Sequence, residues 1–272
     1  MQAQVFFPSL DLQPYVYAYI IIKVNVGDSV ETSYIIPHGC PQLIIFCENP
    51  SKYFLNLFDQ PALYQSFIGG QINHPIFFEY SKYSEAVIVM FKPVGFFHLS
   101  QIPQSEFTNQ ICDLNFVLKQ KKFLVEQIIT SANDIDKIFK TESLLRTFIK
   151  SDGEYTTIDK AIEIIVRNKG NCHFKKDIIE KYNIAPRTFE RRFQKLVGLN
   201  PKEYAKIVRF NNIFNLIKAK PNLDWQDITI LCGYFDQAHL IRDFKRFTEI
   251  SPSSFYSKKL EIGRLLLGYT AN

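Results

Sequence analysis

The hydrophobic pattern changes its period along the chain, and this change constrains the fold more than any other feature of the sequence. From Val5 to about Val94, short segments such as YVYAYIIIKVNV and EAVIVMF are rich in β-branched and aromatic residues and are interrupted by Pro, Gly and Asn, which is typical of strands. After FKPVGFFHLSQIP, apolar residues recur every three to four positions, as in amphipathic helices. The length of 272 residues also exceeds that of an ordinary domain. The sequence therefore predicts an α+β protein with two domains.

The best candidate for a linker is the polar segment KSDGEY, residues 150–155, which combines Ser, Asp and Gly between two periodic stretches. The first domain, residues 1–150, is predicted to be a compact β-barrel or sandwich that the helices in KQKKFLVEQIITSA and IDKIFKTESLLRTFIK close. The second domain, residues 151–272 with a core at 156–258, is predicted to be entirely α-helical.

Basic charge is concentrated in the second domain. Residues 1–150 carry 11 Lys and Arg against 13 Asp and Glu, whereas residues 151–272 carry 21 against 14. This concentration is expected of a protein that binds a polyanion, although a solvated lysine-rich surface gives the same count. The charge distribution alone therefore does not distinguish nucleic-acid binding from a solvated basic surface, whereas the sequence motifs can.

Cysteine usage and hydropathy favour a cytoplasmic protein. The five cysteines are scattered and contain no C-x-x-C pair, which suits a reducing compartment and excludes the usual zinc-site spacings. The N-terminus lacks the basic segment and apolar core of a signal peptide. The longest apolar run, Tyr15 to Ile22, is much shorter than the roughly 18 residues of a membrane span. We therefore expect a protein that is neither secreted nor membrane-spanning.

The second domain contains two predicted helix-turn-helix units. In the first, FKKDIIEKY is followed by a turn at Asn183 and by a helix that begins at Pro186. In the second, WQDITILC is followed by a turn at Gly233 and by a helix that Asp236 caps. The two second helices start 50 residues apart, so the units form a loose internal duplication rather than a solenoid repeat.

Two further helices complete the predicted domain. Thr157 is expected to cap IDKAIEIIVRNK, and Gly170 is expected to end it. Between the two units, a helix is predicted from Pro201 to Lys220, with Asn200 as its cap. Its length is roughly 30 Å at about 1.5 Å per residue, close to the ~34 Å of one duplex turn. A spacer of this length suits two helices that enter successive major grooves.

The second helix of each unit separates an apolar side from a polar one. The residues predicted to pack inward are Phe189, Phe193 and Leu196 in the first helix and Leu240, Phe244 and Phe247 in the second. The residues predicted to face outward are Arg187, Glu190, Arg191 and Gln194 in the first helix and Ala238, Arg242 and Lys245 in the second, with Gln237 and His239 near its start. Arginine bonds guanine and lysine neutralises phosphate, so such helices can read a major groove. A solvated surface is the alternative for any single arginine, but two matched units favour DNA.

The second domain contains two long motifs, RTFERRFQKLVGLNPKEY and ITILCGYFDQAHLIRDFKRFTEISPSSF, and Arg209 in the connecting helix. On these residues the sequence resembles, over about residues 156–258, the DNA-binding domain of AraC-family transcription regulators. This resemblance implies sequence-specific binding to double-stranded promoter DNA and contact with RNA polymerase. It assigns base reading to Arg187, Glu190, Arg191, Ala238 and Arg242. It assigns backbone or flanking contacts to Thr188, Gln194, Lys195, Gln237, His239 and Lys245.

Several positions depart from the pattern of the family. Ile179 and Thr229 stand where a small alanine usually lets the helices of each unit pack closely, and Ala185 stands where a serine usually caps the first reading helix. Glu249 replaces the usual glycine before SPSSF. We expect a less well capped first reading helix, since a cap is typically worth about 1 kcal/mol.

The second unit is expected to differ from the first in how it reads bases. Ala238 cannot form the hydrogen bonds of a longer polar side chain. We expect this unit to rely on Arg242, on contact between Ala238 and a thymine methyl group, and on backbone contacts.

The first domain resembles, over roughly residues 5–115, the sensor-like β domain that precedes this DNA-binding domain in a subset of the family. The segments that carry the resemblance are YIIPHGCPQLIIF, FIGGQ and VMFKPVGFFHL. It implies a cupin-like fold and regulation by a small effector, whose binding residues the sequence does not assign. The FKPVGFFHL segment and the following helices are an alternative candidate for a homodimer interface.

Two other functions compete with a ligand-controlled regulator. Cupin-like barrels often hold a metal through clustered histidines and a carboxylate, but His38, His74 and His98 are far apart, no H-x-H pair occurs, and only Glu79 or Glu85 would complete a set. The sequence also lacks a nucleophile elbow, a P-loop and a dinucleotide-binding fingerprint. A ligand-free interaction module is the second alternative. We expect a regulator that is not an enzyme and has no catalytic residue, metal or cofactor.

Overall fold

The computed structural model describes residues 2–54, 63–118, 122–149 and 156–257. The chain divides into two compact units. One comprises Met1–Tyr34, Cys40–Gln71 and Ile76–Glu154; the other comprises Ile35–Gly39, Ile72–Pro75 and Tyr155–Asn272. The predicted linker, residues 150–155, lies outside the described residues.

An antiparallel β-sheet forms the N-terminal half, as the strand pattern predicts. Its strands are β1 (Gln2–Phe6), β2 (Val16–Ile35), β3 (Gln42–Glu48), β4 (Lys52–Phe54), β5 (Ser66–Gly69), β6 (Ile76–Phe91) and β7 (Ile111–Asp113). The order is β1-β2-β6-β3-β5-β7, with β4 paired to β6. In the middle of the sheet Leu43 pairs with Ile68 on one side and with Val89 on the other. These three apolar residues belong to one buried cluster, which fixes the register because a slip by one residue would turn them to the opposite face of the sheet.

Four short helices follow the long strand β6, and they share its core. They are α1 (Gly95–Ser100), α2 (Leu114–Leu118), α3 (Lys122–Ile129) and α4 (Asp134–Arg146). Phe96, Leu114, Val125 and Leu144, one from each helix, belong to the same buried cluster as strand residues such as Val89. The helices predicted to close the first domain therefore pack on its sheet.

A buried ionic cluster lies among the apolar residues of this unit. Lys137 of α4 donates a hydrogen bond to Glu85 of β6, and both side chains are about nine-tenths buried. Lys23 of β2 lies 3.6 Å from the Glu85 carboxylate and 2.8 Å from Asp134. Burial acts to lower the pKa of Lys137, but its hydrogen bond to Glu85 and the neighbouring negative charges outweigh burial and raise that pKa. The cluster thus links α4 to strands β2 and β6 through charges that compensate one another.

Removing one member of this cluster should be costly. Lys137→Met leaves the buried Glu85 carboxylate with only the more distant Lys23, so we expect a loss of about 3 kcal/mol in the free energy of unfolding of this unit, measured in urea. Lys140→Met is the matched control, because Lys140 pairs with Asp136 at the surface of the same helix (2.7 Å), and it should cost no more than about 0.5 kcal/mol. Equal, small losses for the two variants would show that the cluster does not stabilise the unit.

The C-terminal half is helical, as predicted. Its helices are α5 (Thr157–Arg167), α6 (Pro186–Val197), α7 (Pro201–Ala219), α8 (Trp225–Leu231), α9 (Gln237–Thr248) and α10 (Pro252–Ser257). The prediction that Thr157 caps the first of them is wrong by one residue. Thr156 is the cap: its hydroxyl accepts hydrogen bonds from the backbone N–H groups of Ile158 and Asp159, while the Asp159 carboxylate accepts from the N–H of Thr156. This reciprocal pairing needs a spacing of three residues, which only Thr156 has from Asp159.

The segment between α5 and α6 differs from the α-helix that its sequence predicts. Lys175–Glu180 forms a π-helical segment of six residues, and the N–H of Ile184 bonds to the carbonyl of Ile179, five residues back (3.2 Å). A segment this short depends on tertiary packing rather than on helix propensity, and Ile178 is its one fully buried side chain. The turn that follows is formed as predicted, with Asn183 at a left-handed φ of 46°.

Candidate nucleic-acid interface

The inward sides of α6 and α9 are the predicted ones. The buried residues are Phe189, Phe193 and Leu196 in α6 and Leu240, Phe244 and Phe247 in α9. Both helices pack against α7 through aromatic rings. Phe193 lies 5.7 Å from Tyr204, and Phe210 lies 5.4 Å from Phe244, measured between ring centroids. The connecting helix α7 therefore provides part of the core of each helix-turn-helix unit.

The start of α6 lacks a side-chain cap. Ala185 is the N-cap residue, with an extended backbone (φ −60°, ψ 133°), and Pro186 occupies the first helical position. At the other end Gly198 has a left-handed φ of 94°, and its N–H bonds to the carbonyl of Gln194 (2.9 Å). Proline thus begins the helix and glycine ends it, but no cap side chain accepts a hydrogen bond from the backbone N–H groups of the first turn.

The start of α9 is capped fully. The Asp236 carboxylate accepts a hydrogen bond from the N–H of His239 (2.6 Å). Gly233 forms the preceding turn at a left-handed φ of 72°, and a Cβ at this position would come within 2.6 Å of the Asn171 side chain, so the turn requires glycine. At the C-terminal end of α9, Glu249 takes a left-handed φ of 60°, a conformation that costs a residue with a Cβ about 1 kcal/mol or more.

The second unit accommodates the threonine that replaces a small alanine. Thr229 of α8 is buried, and its hydroxyl donates a hydrogen bond to the carbonyl of Trp225 (2.6 Å). The added polar group is therefore satisfied within its own helix, so it carries no desolvation penalty for an unpaired hydroxyl.

Most of the predicted contact residues are exposed. The exposed ones are Arg187, Glu190, Arg191, Gln194 and Lys195 in α6 and Gln237, Ala238, Arg242 and Lys245 in α9, whereas Thr188 and His239 are partly buried. The ring of His239 packs edge-on against Tyr234 (5.1 Å between centroids), and its Nε2 lies 3.6 Å from the Asp243 carboxylate. His239 thus contributes to the packing of the turn as well as lying near the surface.

The basic side chains of the two helices divide into two classes. In the part of the chain that the structure describes, no salt bridge engages Arg191, Lys195, Arg242 or Lys245, whereas Arg246 of α9 pairs with Glu203 of α7 (2.5 Å). The unengaged cations face solvent and would gain partners from a polyanion. Arg246 instead holds α9 on α7.

One arginine in α7 joins the end of α5 to the turn of the second helix-turn-helix unit. The Arg209 guanidinium donates a hydrogen bond to the carbonyl of Gly170 at the end of α5 (3.3 Å), and it lies 5.4 Å from the ring centroid of Tyr234 in the second turn. The Asn171 side chain adds a hydrogen bond to the carbonyl of Cys232 (2.9 Å). These contacts set the turn of the second unit against the end of the first helix of the domain.

The cysteine in this turn is structural. Cys232 is buried, and burial raises the pKa of its thiol to about 11, so the thiol stays protonated at neutral pH. The Asn212 side chain of α7 donates a hydrogen bond to its sulfur (3.6 Å). Cys232 therefore fills the space between α7 and the turn as a small apolar residue.

The residues of the alternative metal site are otherwise engaged. Glu85 binds Lys137 and Lys23, and the Nδ1 of His74 lies 3.1 Å from the carbonyl of Pro75. Among the described residues, no three His, Cys, Asp or Glu side chains form a group able to hold a metal ion. No helix within the described ranges is both long enough and apolar enough to span a membrane.

Substitutions at the two N-cap positions test whether α6 is less stable for lack of a side-chain cap. The backbone of Ala185 already has the conformation of a cap, so Ala185→Ser should let the hydroxyl accept from the N–H of Thr188 and should add about 1 kcal/mol to the free energy of unfolding. Asp236→Ala, at the matching position of α9, should lose about 1 kcal/mol. Both effects are measured by urea unfolding of the full chain. A neutral Ala185→Ser beside a destabilising Asp236→Ala would mean that water satisfies the first turn of α6 equally well.

Two family models match separate parts of the chain. Residues 4–113 match a domain of unknown function, DUF6597, and residues 178–258 match a helix-turn-helix domain. No curated protein sequence matches the chain.

Solved structures of two other proteins align with most of this chain. A crystal structure of ToxT from Vibrio cholerae is 11% identical and aligns over 87% of this chain and 96% of ToxT, with a TM-score of 0.49. A second structure of that protein, with an unsaturated fatty acid bound, is 12% identical over 87% of this chain and 94% of ToxT, with a TM-score of 0.47. CuxR, described as an AraC-like transcriptional activator, is 11% identical over 89% of this chain and 80% of CuxR, with a TM-score of 0.20. At these identities and scores, the likeness says nothing of what this chain binds.

Proposed function

We propose that the chain is a DNA-binding transcription regulator of the AraC family, and that α6 and α9 are its two recognition helices and enter successive major grooves on one side of a promoter. One observation carries this proposal. Two helices of 12 residues each turn their aromatic side to a shared helix, α7, and present unengaged arginines and lysines to solvent. An exposed basic helix of this kind is what the major groove admits.

The connecting helix supports a fixed distance between the two recognition helices. It has 19 residues, so its length is about 28 Å at about 1.5 Å per residue, against about 34 Å for one turn of the duplex. Arg209 and the aromatic contacts of Tyr204 and Phe210 hold the two units to the same helix. A single chain can therefore span two grooves, for which simple helix-turn-helix proteins use a dimer.

The exposed residues take different roles in this proposal. Arg187, Glu190 and Arg191 in α6 and Ala238 and Arg242 in α9 face base edges, where arginine donates two hydrogen bonds to guanine and a glutamate accepts from cytosine. The residues that contact phosphates or flanking positions are Thr188, Gln194, Lys195, Gln237, His239 and Lys245. Phosphate contacts fix the register and supply affinity, whereas base contacts supply sequence preference.

Other properties of the chain stay predictions from the sequence. A small effector in the N-terminal domain, contact with RNA polymerase, a homodimer and a cytoplasmic location rest on the resemblance and the composition. The chain contains a helix-turn-helix domain, and we propose that it catalyses no reaction.

Binding of the full chain to a pool of random duplexes tests the function. The retained DNA should contain a motif of two blocks about one helical turn apart, because the two recognition helices are held on one spacer. The logarithm of the binding constant should fall linearly with the logarithm of the salt concentration, with a slope of about −0.9 for each phosphate neutralised. Folded protein that retains no DNA at low salt would contradict the proposal.

Three alanine substitutions separate base reading from phosphate binding. Arg191→Ala and Arg242→Ala should each cost about 1–3 kcal/mol of binding free energy on the selected duplex. Arg191→Ala should relax the base preference in the block that α6 reads, and Arg242→Ala in the block that α9 reads. Lys195→Ala should weaken selected and random duplexes alike and should reduce the magnitude of the salt slope by about 1. Titrations of both duplexes at several salt concentrations measure these effects. Equal losses on selected and random DNA for both arginines would refute their role as readers.

A further inference from the structure

The turn before α9 directs two successive aromatic residues in opposite directions. Tyr234 is buried (5% exposed), and Arg209 lies over its ring. Phe235, the next residue, is 92% exposed, more than any other large apolar residue whose exposure the structure gives. Phe235 immediately precedes Asp236, the cap of α9. The resemblance to the AraC family assigns Phe235 no role.

Phe235 does not perform the usual packing task of its position. An apolar residue before the cap often packs on the residue four places into the helix and fixes the angle at which the chain enters. In α9 that residue is Leu240, which is fully buried, and the exposure of Phe235 shows that its ring is not packed on it. The entry angle is fixed instead by Gly233 and by Tyr234. An exposed ring lacks the stabilisation that burial gives a phenylalanine, about 1.5–3 kcal/mol, so Phe235 contributes little to the stability of this turn.

Phe235 lies at the N-terminal end of α9, beside the residues that we propose contact DNA. The exposed residues that follow it in α9 include Gln237, Ala238, Arg242 and Lys245, and the N-terminal residues of a recognition helix are the ones that contact base edges. The thymine methyl is the apolar group that bases present in the major groove, and phenylalanine and alanine are the side chains that contact it. Among these residues two, Phe235 and Ala238, are apolar, and they stand three positions apart at this end.

We propose that Phe235, together with Ala238, binds thymine methyl groups in the major groove and makes the second unit a reader of thymine. This inference rests on the proposed function, because it requires α9 to enter a groove. The two units then differ in chemistry: α6 reads by the hydrogen bonds of Arg187, Glu190 and Arg191, and the start of α9 reads by apolar contact. The basic residues Arg242 and Lys245 on the same helix favour DNA over a protein partner for this exposed ring.

The experiment removes the methyl group without changing the base pair. The starting duplex is one that the full-length wild-type chain selects from the random pool. Its second block, the one whose base preference Arg242→Ala relaxes, is prepared with each thymine replaced, one at a time, by deoxyuridine. We expect one or two adjacent replacements to weaken wild-type binding about three- to fourfold each, the value of burying one methyl group. Phe235→Ser should bind the thymine duplex about three- to tenfold more weakly and should no longer distinguish thymine from deoxyuridine at the position that the ring contacts.

Matched variants keep the result interpretable. Phe7, near β1, is 78% exposed, so Phe7→Ser removes a similar exposed ring far from α9 in sequence and should leave both affinity and discrimination unchanged. Because Phe235 makes so little contact with the protein, Phe235→Ser should unfold at the same urea concentration as the wild type. A shifted unfolding midpoint would show that the ring stabilises the turn and would overturn the premise of the proposal.

The outcomes separate this inference from the function on which it rests. A wild-type chain that selects no duplex contradicts DNA binding itself. Selection of a two-block motif in which the second block has no thymine preference, or in which Phe235→Ser keeps the wild-type affinity and discrimination, overturns the thymine contact and leaves DNA binding intact. If Phe235→Ser binds DNA normally but loses co-purification of RNA polymerase with the promoter complex, the ring docks a protein and the inference is wrong.

Discussion

The arrangement of the C-terminal half depends on the placement of Arg209. Its guanidinium binds the carbonyl of Gly170 and lies over the ring of Tyr234, so one side chain on α7 fixes the end of α5 and the turn of the second unit together. The site tolerates little change: a Cβ at Gly170 would lie 2.2 Å from the carbonyl oxygen of Ala205, also on α7. Guanidinium suits this position because it is planar, always charged, and able to stack and donate at once.

Burial on one side of α6 and of α9 leaves the other side of each helix exposed, where we propose that DNA binds. Phe210 contacts Phe244 and Phe247 of α9, and Phe193 of α6 contacts Tyr204. Each fully buried phenylalanine contributes about 1.5–3 kcal/mol relative to an exposed one, so the apolar side holds each helix firmly. The polar side then need not contribute to folding. Arg246 is the exception, since it binds Glu203 and acts in packing.

The sequence predicted the features that depend on neighbouring residues. Local spacing predicted the caps Asn200 and Asp236 and the turns at Asn183 and Gly233. Features set by distant contacts were not predicted. The order of the strands, the π-helical segment and the pairing of Arg246 with Glu203 depend on residues far apart in the chain. The exposure of Phe235 belongs to the same class, although a large apolar residue placed directly before a cap was a visible signal that it either packs on Leu240 or faces outward.

Hydroxyl-radical footprinting of the full chain on a selected duplex tests whether α6 and α9 enter successive major grooves. It maps the protected DNA backbone without assuming which bases are read. The account predicts two protected stretches on one face of the DNA, with centres about 10 base pairs apart, because α6 and α9 are held on one spacer helix. A single protected stretch, or two stretches on opposite faces, would show that the two helices do not enter successive major grooves together.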